Sequence, residues 1–303
     1  MEESQPALRT SVLIVARNQS AAVRRTIESL AGQPPESIEI LVVDNASTDG
    51  SQSLDADFPH IKMLRMQRNF GWTKGVNVGT RTAKGEYLCL TPPGIEFEAD
   101  TIPRLIARFE QDPEVRGVCP LSVDAQGVPA TRIYPLPTRE VLWRFWKTGH
   151  LGPPLPLDLT ADCVRAPYVT GTALLIRRQA IVAMNYLDER YGQFWSDAEI
   201  CYQIARAGKV IVVLPGVRVR GLQPYQQIPD KLDAWGAKLS ADAALGAAAY
   251  LARREGFLRG LSFRVAAVLA AFAALLDVRR LGPHAVRFVN VLTGQKIDGN
   301  QGA

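Results

Sequence analysis

The stretch Leu41-Val42-Val43-Asp44-Asn45-Ala46-Ser47-Thr48-Asp49-Gly50-Ser51 constrains this chain more than any other. An apolar, β-branched run stops at an aspartate and gives way to a small polar loop with a second aspartate. A run of this kind reads as a parallel strand buried on both faces by helices. Open α/β sheets bind ligands at the carboxyl ends of such strands. Asp44 and Asp49 are therefore placed to bind the base and ribose of a nucleotide. From the loop alone an equally good account is that Asp49 or Ser47 caps the next helix.

The flanking segments repeat the alternation. Ser11 to Ala16 is a predicted strand, Ser20 to Gly32 a helix closed by glycine, and Ile38 to Asn45 and Ile61 to Met66 are strands. Thr73 to Ala83 is a predicted helix, and Tyr87 to Thr91 a strand stopped by Pro92-Pro93-Gly94. A helix over Ala99 to Gln111 and a strand over Val115 to Val123 continue the order. This spacing predicts an α/β fold with a doubly wound, mostly parallel central sheet flanked by helices. Periodicity fades over residues 124 to 167, where Trp143, Trp146 and the Gly152-Pro153-Pro154 turn suggest a long, partly mobile insertion. Such an insertion is either a lid or acceptor site or an ordinary surface excursion. Regular pattern returns with Tyr168 to Arg177 as a strand, Asp197 to Ala207 as a helix ending at Gly208, and Val210 to Leu214 as a strand.

Charge separates the body from the tail. The net charge is +5, and from Ser240 onward eight basic residues face four acidic ones, so the tail carries most of it. No strongly basic domain with interleaved aromatic platforms appears, which argues against nucleic-acid binding. The tail from about Ile228 is helical and alanine-rich, with an apolar run from Val265 to Leu276 that is too short to span a bilayer. Leu261, Val265, Val268, Phe272 and Leu276 share one face, suited to packing on the body or, with the arginines of 253–292, to a peripheral membrane contact. Cys89, Cys119, Cys163 and Cys201 lack metal-ligand spacing and read as buried free thiols. The acidic start Met1-Glu2-Glu3-Ser4 has no apolar signal region after it, so a cytoplasmic location is expected, peripheral on the inner face of the membrane if the tail touches lipid.

A second informative segment is Arg68-Asn69-Phe70-Gly71-Trp72-Thr73-Lys74-Gly75-Val76-Asn77-Val78-Gly79. Its glycines fall at every fourth position, unlike a dinucleotide fingerprint or a Walker A loop. On a helix Gly71, Gly75 and Gly79 line one side and permit close backbone approach. Close packing explains the glycines but not obviously Asn69 and Asn77, which can bond backbone or ligand.

Together these segments resemble the family-2 glycosyltransferases, particularly the branch that adds rhamnose and similar sugars to bacterial polysaccharides. The resemblance rests on Arg17-Asn18, on Val43 to Gly50, on Asn69 to Gly79 with Trp72 in a Phe place, on Thr170-Gly171-Thr172-Ala173-Leu174 and on Leu187-Asp188-Glu189-Arg190-Tyr191. It covers residues 8 to 225 and implies a GT-A fold, with a nucleotide-binding half at 8–123 and an acceptor half at 124–225. A helical basic extension over 226–293 and a disordered tail over 294–303 complete the expected organisation.

The resemblance also implies an activity, the inverting transfer of a sugar from a nucleoside-diphosphate-sugar donor onto a glycan or lipid-linked acceptor. The nucleotide would be held by Arg17, Asn18, Asp44, Asn45, Ser47, Asp49, Asn69, Gly71, Lys74 and Asn77. Asp197, with Glu199, stands where the family has its base, in Phe194-Trp195-Ser196-Asp197-Ala198-Glu199; on bare sequence Asp197 equally suits a helix N-terminus. The metal motif departs. The fourth strand ends Leu90-Thr91-Pro92-Pro93-Gly94, with Pro93 where the family has its metal-binding aspartate, and Val217 to Gln223 holds no histidine. No metal site is therefore expected beyond the weak candidate Glu96, and Mg²⁺ or Mn²⁺ is doubtful. Three readings stay open: a metal-independent enzyme using Arg218 or Arg220 on the diphosphate, an enzyme recruiting metal through Glu96 or donor phosphates, and a fold without transfer activity serving as a nucleotide-sugar-binding or partner subunit. An NAD-dependent oxidoreductase is disfavoured because Val15-Ala16-Arg17-Asn18-Gln19 lacks the glycine fingerprint.

Overall fold

β1 (Thr10–Ala16) is buried at every position, as a strand covered on both faces requires. Leu13 and Val15 enter one hydrophobic cluster, while Val12, Ile14 and Ala16 enter another across the sheet. The chain continues through α1 (Ser20–Leu30), β2 (Ile38–Asp44), α2 (Leu54–Asp57), β3 (Lys62–Arg65), α3 (Trp72–Thr82) and β4 (Tyr87–Thr91). Next come β5 (Glu96–Phe97), α4 (Thr101–Gln111), β6 (Val115–Val123), β7 (Arg132–Tyr134), α5 (Arg139–Thr148) and β8 (Val164–Arg165). β9 (Tyr168–Thr170), β10 (Leu174–Arg177), α6 (Arg178–Ala183), α7 (Ser196–Arg206) and β11 (Val210–Arg220) complete the body. A C-terminal layer follows as α8 (Ala234–Glu255), α9 (Phe257–Ala273) and α10 (Leu281–Thr293). This computed structural model describes residues 9–33, 37–221, 233–295 and 297. Most of the tail predicted at 294–303, and the start of the extension at 226, lie outside them.

The main sheet runs β3-β2-β1-β4-β10-β6-β11-β5, with β8 also on β11. β1 to β4 are mutually parallel, β10 is antiparallel between β4 and β6, and β6 and β11 are parallel. From β1 the chain steps outward to β2 and β3, then returns through α3 to β4 on the other side. The carboxyl ends of β1 and β4 therefore flank a topological switch point, where ligands enter such sheets. α1 and α4 cover one face; α3, α5, α7 and α8 bury their apolar residues on the other. α3 lies close on β1, because a Cβ on Gly75 or Gly79 would overlap Val15 or Leu13.

Five sequence expectations change. The strand predicted over Tyr168 to Arg177 is two strands: Gly171, at φ 75°, turns the chain, so β9 pairs with β7 in a separate ribbon and only β10 joins the main sheet. The last strand does not stop at Leu214; an irregularity between Leu214 and Arg218 lets it run on to Arg220 beside β6. α1 ends at Leu30 with a right-handed Ala31, two residues before the glycine expected to close it. Within 124–167 stands α5, capped by the Thr138 hydroxyl and burying Leu142, Phe145 and Trp146. The Trp143 ring lies 5.0 Å from Trp146 and 5.5 Å from Phe263 of α9. This helix ties the body to the C-terminal layer, and Trp143 and Trp146 pack inward. Of the thiols, Cys163 is only half-buried; the other three are buried as expected.

α8 is alanine-rich and buried on nearly all sides, as a helix without a polar face should be. α9 buries Gly260, Ala267 and Ala271 on its inner side together with Phe263, and Gly260 meets Ala248 and Ala252 of α8. Of the face predicted from Leu261, Val265, Val268, Phe272 and Leu276, Val268 is half-buried against the core and the other four point outward.

Candidate functional site

The ends of β1 and β4 and the start of α7 enclose a cavity of about 340 Å³. Val15 and Gln19 come from the β1 side, Thr91, Pro92 and Pro93 from the β4 end, and Asp197 from α7. A smaller recess of about 260 Å³ shares Val15, Gln19, Trp72 and Gln193 and adds Arg17, Asn45, Asn69 and Trp235. The two form one cleft across the switch point.

Among the described residues Asp197 is the only carboxylate lining that cavity. It is half-buried in the cavity wall, and desolvation there pushes its pKa up to about 6. The Ala198 N–H (2.8 Å) and the Tyr168 hydroxyl (2.9 Å) donate to it and oppose the rise. A carboxylate of this kind is ionised at neutral pH yet basic enough to take a proton. Ser196 and Asp197 open α7, and the Thr73 hydroxyl donates to Ser196 Oγ at 2.8 Å, so the starts of α3 and α7 are pinned together. Trp195, just before them, is held at φ 76° with its indole N–H on the Ala243 carbonyl of α8, 3.0 Å away. A buried left-handed tryptophan is strained by about 1–3 kcal/mol and persists only where its surroundings over-determine it.

α8 grips this segment from behind. The Asp242 carboxylate accepts the Gln193 N–H at 2.7 Å, and a Cβ on Gly192 would overlap it. Gln193 Oε1 in turn accepts the Trp72 N–H at 3.0 Å, and the Gly192 carbonyl accepts the Thr73 N–H at 3.0 Å. Glu199 does not face the cavity. It is buried against α8, where it accepts from the Tyr191 hydroxyl (2.9 Å) and Gln203 (2.6 Å) and pairs with Arg253 at 2.8 Å.

On the opposite side the loops after β1 and β2 are knotted into themselves, with Arg17, Gln19 and Asn45 lining the cleft and Asn18, Asp44, Ser47 and Asp49 not lining it. Asp44 is buried, and both of its oxygens accept the Ser47 N–H at 3.3 Å. Asn18, at φ 52°, accepts the Thr48 N–H at 2.7 Å, while the Ser47 hydroxyl accepts the Asn18 N–H at 2.9 Å. Asp49 accepts the Ser20 N–H at 2.9 Å and the Ser51 N–H at 3.0 Å. Burial raises its pKa, but these bonds outweigh that and hold it below the usual range. Asp49 thus caps both the preceding helix, α1, and the turn after its own loop. Asn45 joins the two motifs, accepting the Phe70 N–H at 2.9 Å and donating to the Gly71 carbonyl at 3.2 Å. Asn69 accepts the Gly71 N–H at 3.0 Å. Asn77 is paired both ways with the backbone of Leu187, at 2.8 and 2.9 Å, so its carboxamide faces the loop before α7. Gly71 packs on the Gly192 backbone. Lys74 lies 3.5 Å from Glu189 and 4.4 Å from the Phe70 ring centre. Arg17 lies over the Trp235 ring at 5.4 Å.

Around Pro93 the donor set is poor. Glu96 turns away from the cavity and pairs with Arg25 at 3.4 Å. Among the described residues no cluster of three His, Cys, Asp or Glu side chains could hold a metal ion. Arg218 and Arg220 are exposed near the end of β11 and do not line the cavity. Gly221 packs on the Gly94 carbonyl, so that strand end borders the Pro92–Gly94 turn. Tyr168, Gln193, Trp235 and Asp242 were missed in the sequence. Nothing local marks them, since each acts through a partner more than 25 residues away.

The mixed, mostly parallel sheet, with antiparallel β10 between β4 and β6 and its cleft at the switch point, has the GT-A fold of the glycosyltransferase structures it matches. The chain belongs to glycosyl transferase family 2, whose model matches residues 11–181. It is 24% identical over 228 residues to an N-acetylglucosaminyl-diphospho-decaprenol L-rhamnosyltransferase of Mycobacterium tuberculosis, covering 69% of this chain and 74% of that protein. Among solved structures, GalNAc-T7 with UDP, GalNAc and Mn²⁺ aligns at a TM-score of 0.60 and 17% identity, over 97% of this chain and 57% of that one. The mannosyltransferase PcManGT of Pyrobaculum calidifontis, with GDP-Man and Mn²⁺, aligns at 0.54 and 17% identity, over 95% and 88%.

Proposed function

We propose that this protein transfers a sugar from a nucleoside-diphosphate-sugar donor to a glycan or lipid-linked acceptor by direct, inverting displacement. The observation that carries the reading is Asp197, a lone carboxylate of raised pKa facing the ends of β1 and β4 across the cavity. In this role Asp197 takes the acceptor proton as the acceptor oxygen attacks the anomeric carbon from the face opposite the departing nucleoside diphosphate. Tyr168 orients the carboxylate. Arg17, Asn18, Asp44, Asn45, Ser47, Asp49, Asn69, Gly71 and Lys74 form or brace the nucleotide side, and Asn77 braces the loop that leads to the base. The rhamnosyltransferase likeness supports a hexosyl or 6-deoxyhexosyl donor and a lipid-diphosphate-linked acceptor, and with it a position at the inner face of the cytoplasmic membrane.

Solved relatives carry Mn²⁺, but the donor set here does not fit a hard divalent ion. Such ions take several oxygen ligands, usually with carboxylates among them. Pro93 offers no side-chain ligand at the β4 end, and Glu96 is engaged with Arg25. Charge on the leaving diphosphate is instead met by cationic side chains; Arg220, beside the Pro92–Gly94 turn, is our choice, since a guanidinium matches phosphate oxygens. The same poor donor set favours a second reading, a nucleotide-sugar-binding subunit without turnover.

The test is a calorimetric titration with UDP, dTDP and GDP, with Mg²⁺ or Mn²⁺ and again with EDTA, followed by donor turnover in wild type and Asp197→Asn. Metal-free binding with turnover lost only in the variant supports the enzyme. Binding without wild-type turnover on the matching sugar donors supports the subunit reading, and absence of binding to every nucleotide overturns both.

A further inference from the structure

We propose that the outward face of α9 and α10 is a membrane-docking surface that seats the protein in the headgroup layer of an anionic bilayer. Leu276 is 85% exposed, Leu258 75% and Phe257 72%, and Leu261, Val265, Leu269 and Phe272 are exposed beside them. At 3.6 residues per turn those within α9 fall inside about 120° of the helix circumference, and Leu276 follows in the turn just after it. The Phe272 and Phe288 rings, 5.6 Å apart, continue the surface onto α10, where Leu281, Val289 and Leu292 are also exposed. Large contiguous apolar patches are rare on soluble monomers and mark interaction sites.

Charge selects the occupant. Arg259, Arg279 and Arg280 are exposed around this face, and among the described residues none forms an ion pair. Between Phe257 and Thr293 the only acidic residue is Asp277. A second copy of this face would set arginine against arginine, whereas an anionic lipid surface attracts each of them by about 1 kcal/mol. The partner that answers both the apolar face and its basic border is an anionic membrane.

The helix lies on the bilayer and does not cross it. Phe257–Leu276 has the length and hydropathy of a membrane span, but its other side is committed to protein. Gly260 sits so close to the Ala248 carbonyl and Ala252 of α8 that a Cβ would overlap both. Arg264 donates to the carbonyls of Val291 (3.3 Å) and Leu292 (3.0 Å) at the end of α10. Insertion across the bilayer would strip these contacts and carry Arg264 into hydrocarbon. An amphipathic helix lying in the interface keeps them.

The docking goes beyond the transfer reading and is tested without turnover. Full-length protein is floated with phosphatidylcholine vesicles, with and without about 25% phosphatidylglycerol. Wild type is expected to float with the anionic vesicles and to lose about tenfold in partitioning without phosphatidylglycerol. Combining Leu261→Glu, Leu269→Glu and Phe272→Glu is expected to abolish flotation with the melting curve unchanged. Arg279→Glu with Arg280→Glu should remove most of the preference for anionic lipid. Asp197→Asn should float like wild type, which separates this proposal from the catalytic one. The proposal is overturned if wild type stays in solution with anionic vesicles or if the triple variant still floats. It is also overturned if light scattering shows a dimer that vesicles do not dissociate and the triple variant does, because the occupant is then a second copy.

Discussion

The wall built from the ends of β1, β2 and β4 and from α3 with the loop before it carries many polar side chains and engages most of them with backbone groups. The wall built from α7 presents one carboxylate, and that one faces the cavity. Asp44, Ser47, Asp49, Asn18, Asn45, Asn69 and Asn77 all bond backbone groups, so their first effect is to fix the shape of the cleft. Asp197 is held by one tyrosine and by its place at a helix start. The difference teaches that motif residues on the first wall should act mainly through stability and shape, and Asp197 mainly through rate.

The largest expected effect tests that division directly. Asp197→Asn should lower turnover by about 10²–10⁴-fold, the usual scale for a lost general base, while nucleotide affinity measured by calorimetry stays near wild type. Unchanged turnover in an active preparation would sink the assignment. Next in size, Gly192→Ala should destabilise by more than about 2 kcal/mol in urea titration, because its φ of 62° disfavours a side chain and the added methyl meets Asp242. A wild-type midpoint would mean that the α8 contact is loose.

On the first wall, Asn77→Ala should cost about 1–3 kcal/mol by leaving the Leu187 N–H and carbonyl unpaired in the interior. If nucleotide affinity falls while the unfolding midpoint does not move, the contrast between the walls is wrong.

Smaller effects concern pH. The Tyr168 hydroxyl favours the ionised form of Asp197, so Tyr168→Phe should move the acid limb of kcat/KM upward from about 6. Wild-type position of that limb would remove Tyr168 from the mechanism. Because the folded pKa is about 6 against an ordinary 3.8, the folded state binds more protons between these values. Ionised Asp197 therefore lowers stability as pH rises through this window. Asp197→Asn should then raise the melting temperature above pH 6 and leave it unchanged below pH 4. The smallest expected effect is none: EDTA should leave nucleotide affinity within about twofold. Loss of binding on chelation would restore a metal at the β4 end.

Much of the cleft was legible because its signals are local. An apolar run ending in Asp44, glycines at Gly71, Gly75 and Gly79, and an acid opening α7 each follow from spacing within a dozen residues. The break at Gly171 was not legible, since the largely apolar run of Tyr168 to Arg177 looks the same whether one strand or two is formed. Nor was the orientation of Glu199: two residues beyond Asp197 on a helix it lies about 200° around the axis, and only the position of α8 tells which of the two faces the cavity.

The sequence alone determined the family, the main parallel strands with the helices between them, and the polar loops at the strand ends. Hydrophobic periodicity and turn chemistry are short-range properties and are written in neighbouring residues. Tertiary structure alone decided that Tyr168 meets Asp197, that α8 holds the base segment through Asp242, Ala243 and Arg253, and that α9 buries the side with Gly260, Ala267 and Ala271 and exposes the other. Each of these depends on which surfaces are brought together by elements far apart in the chain. Close helix packing selects small residues at the contact, so the bulkier face of α9 is left to meet whatever lies outside.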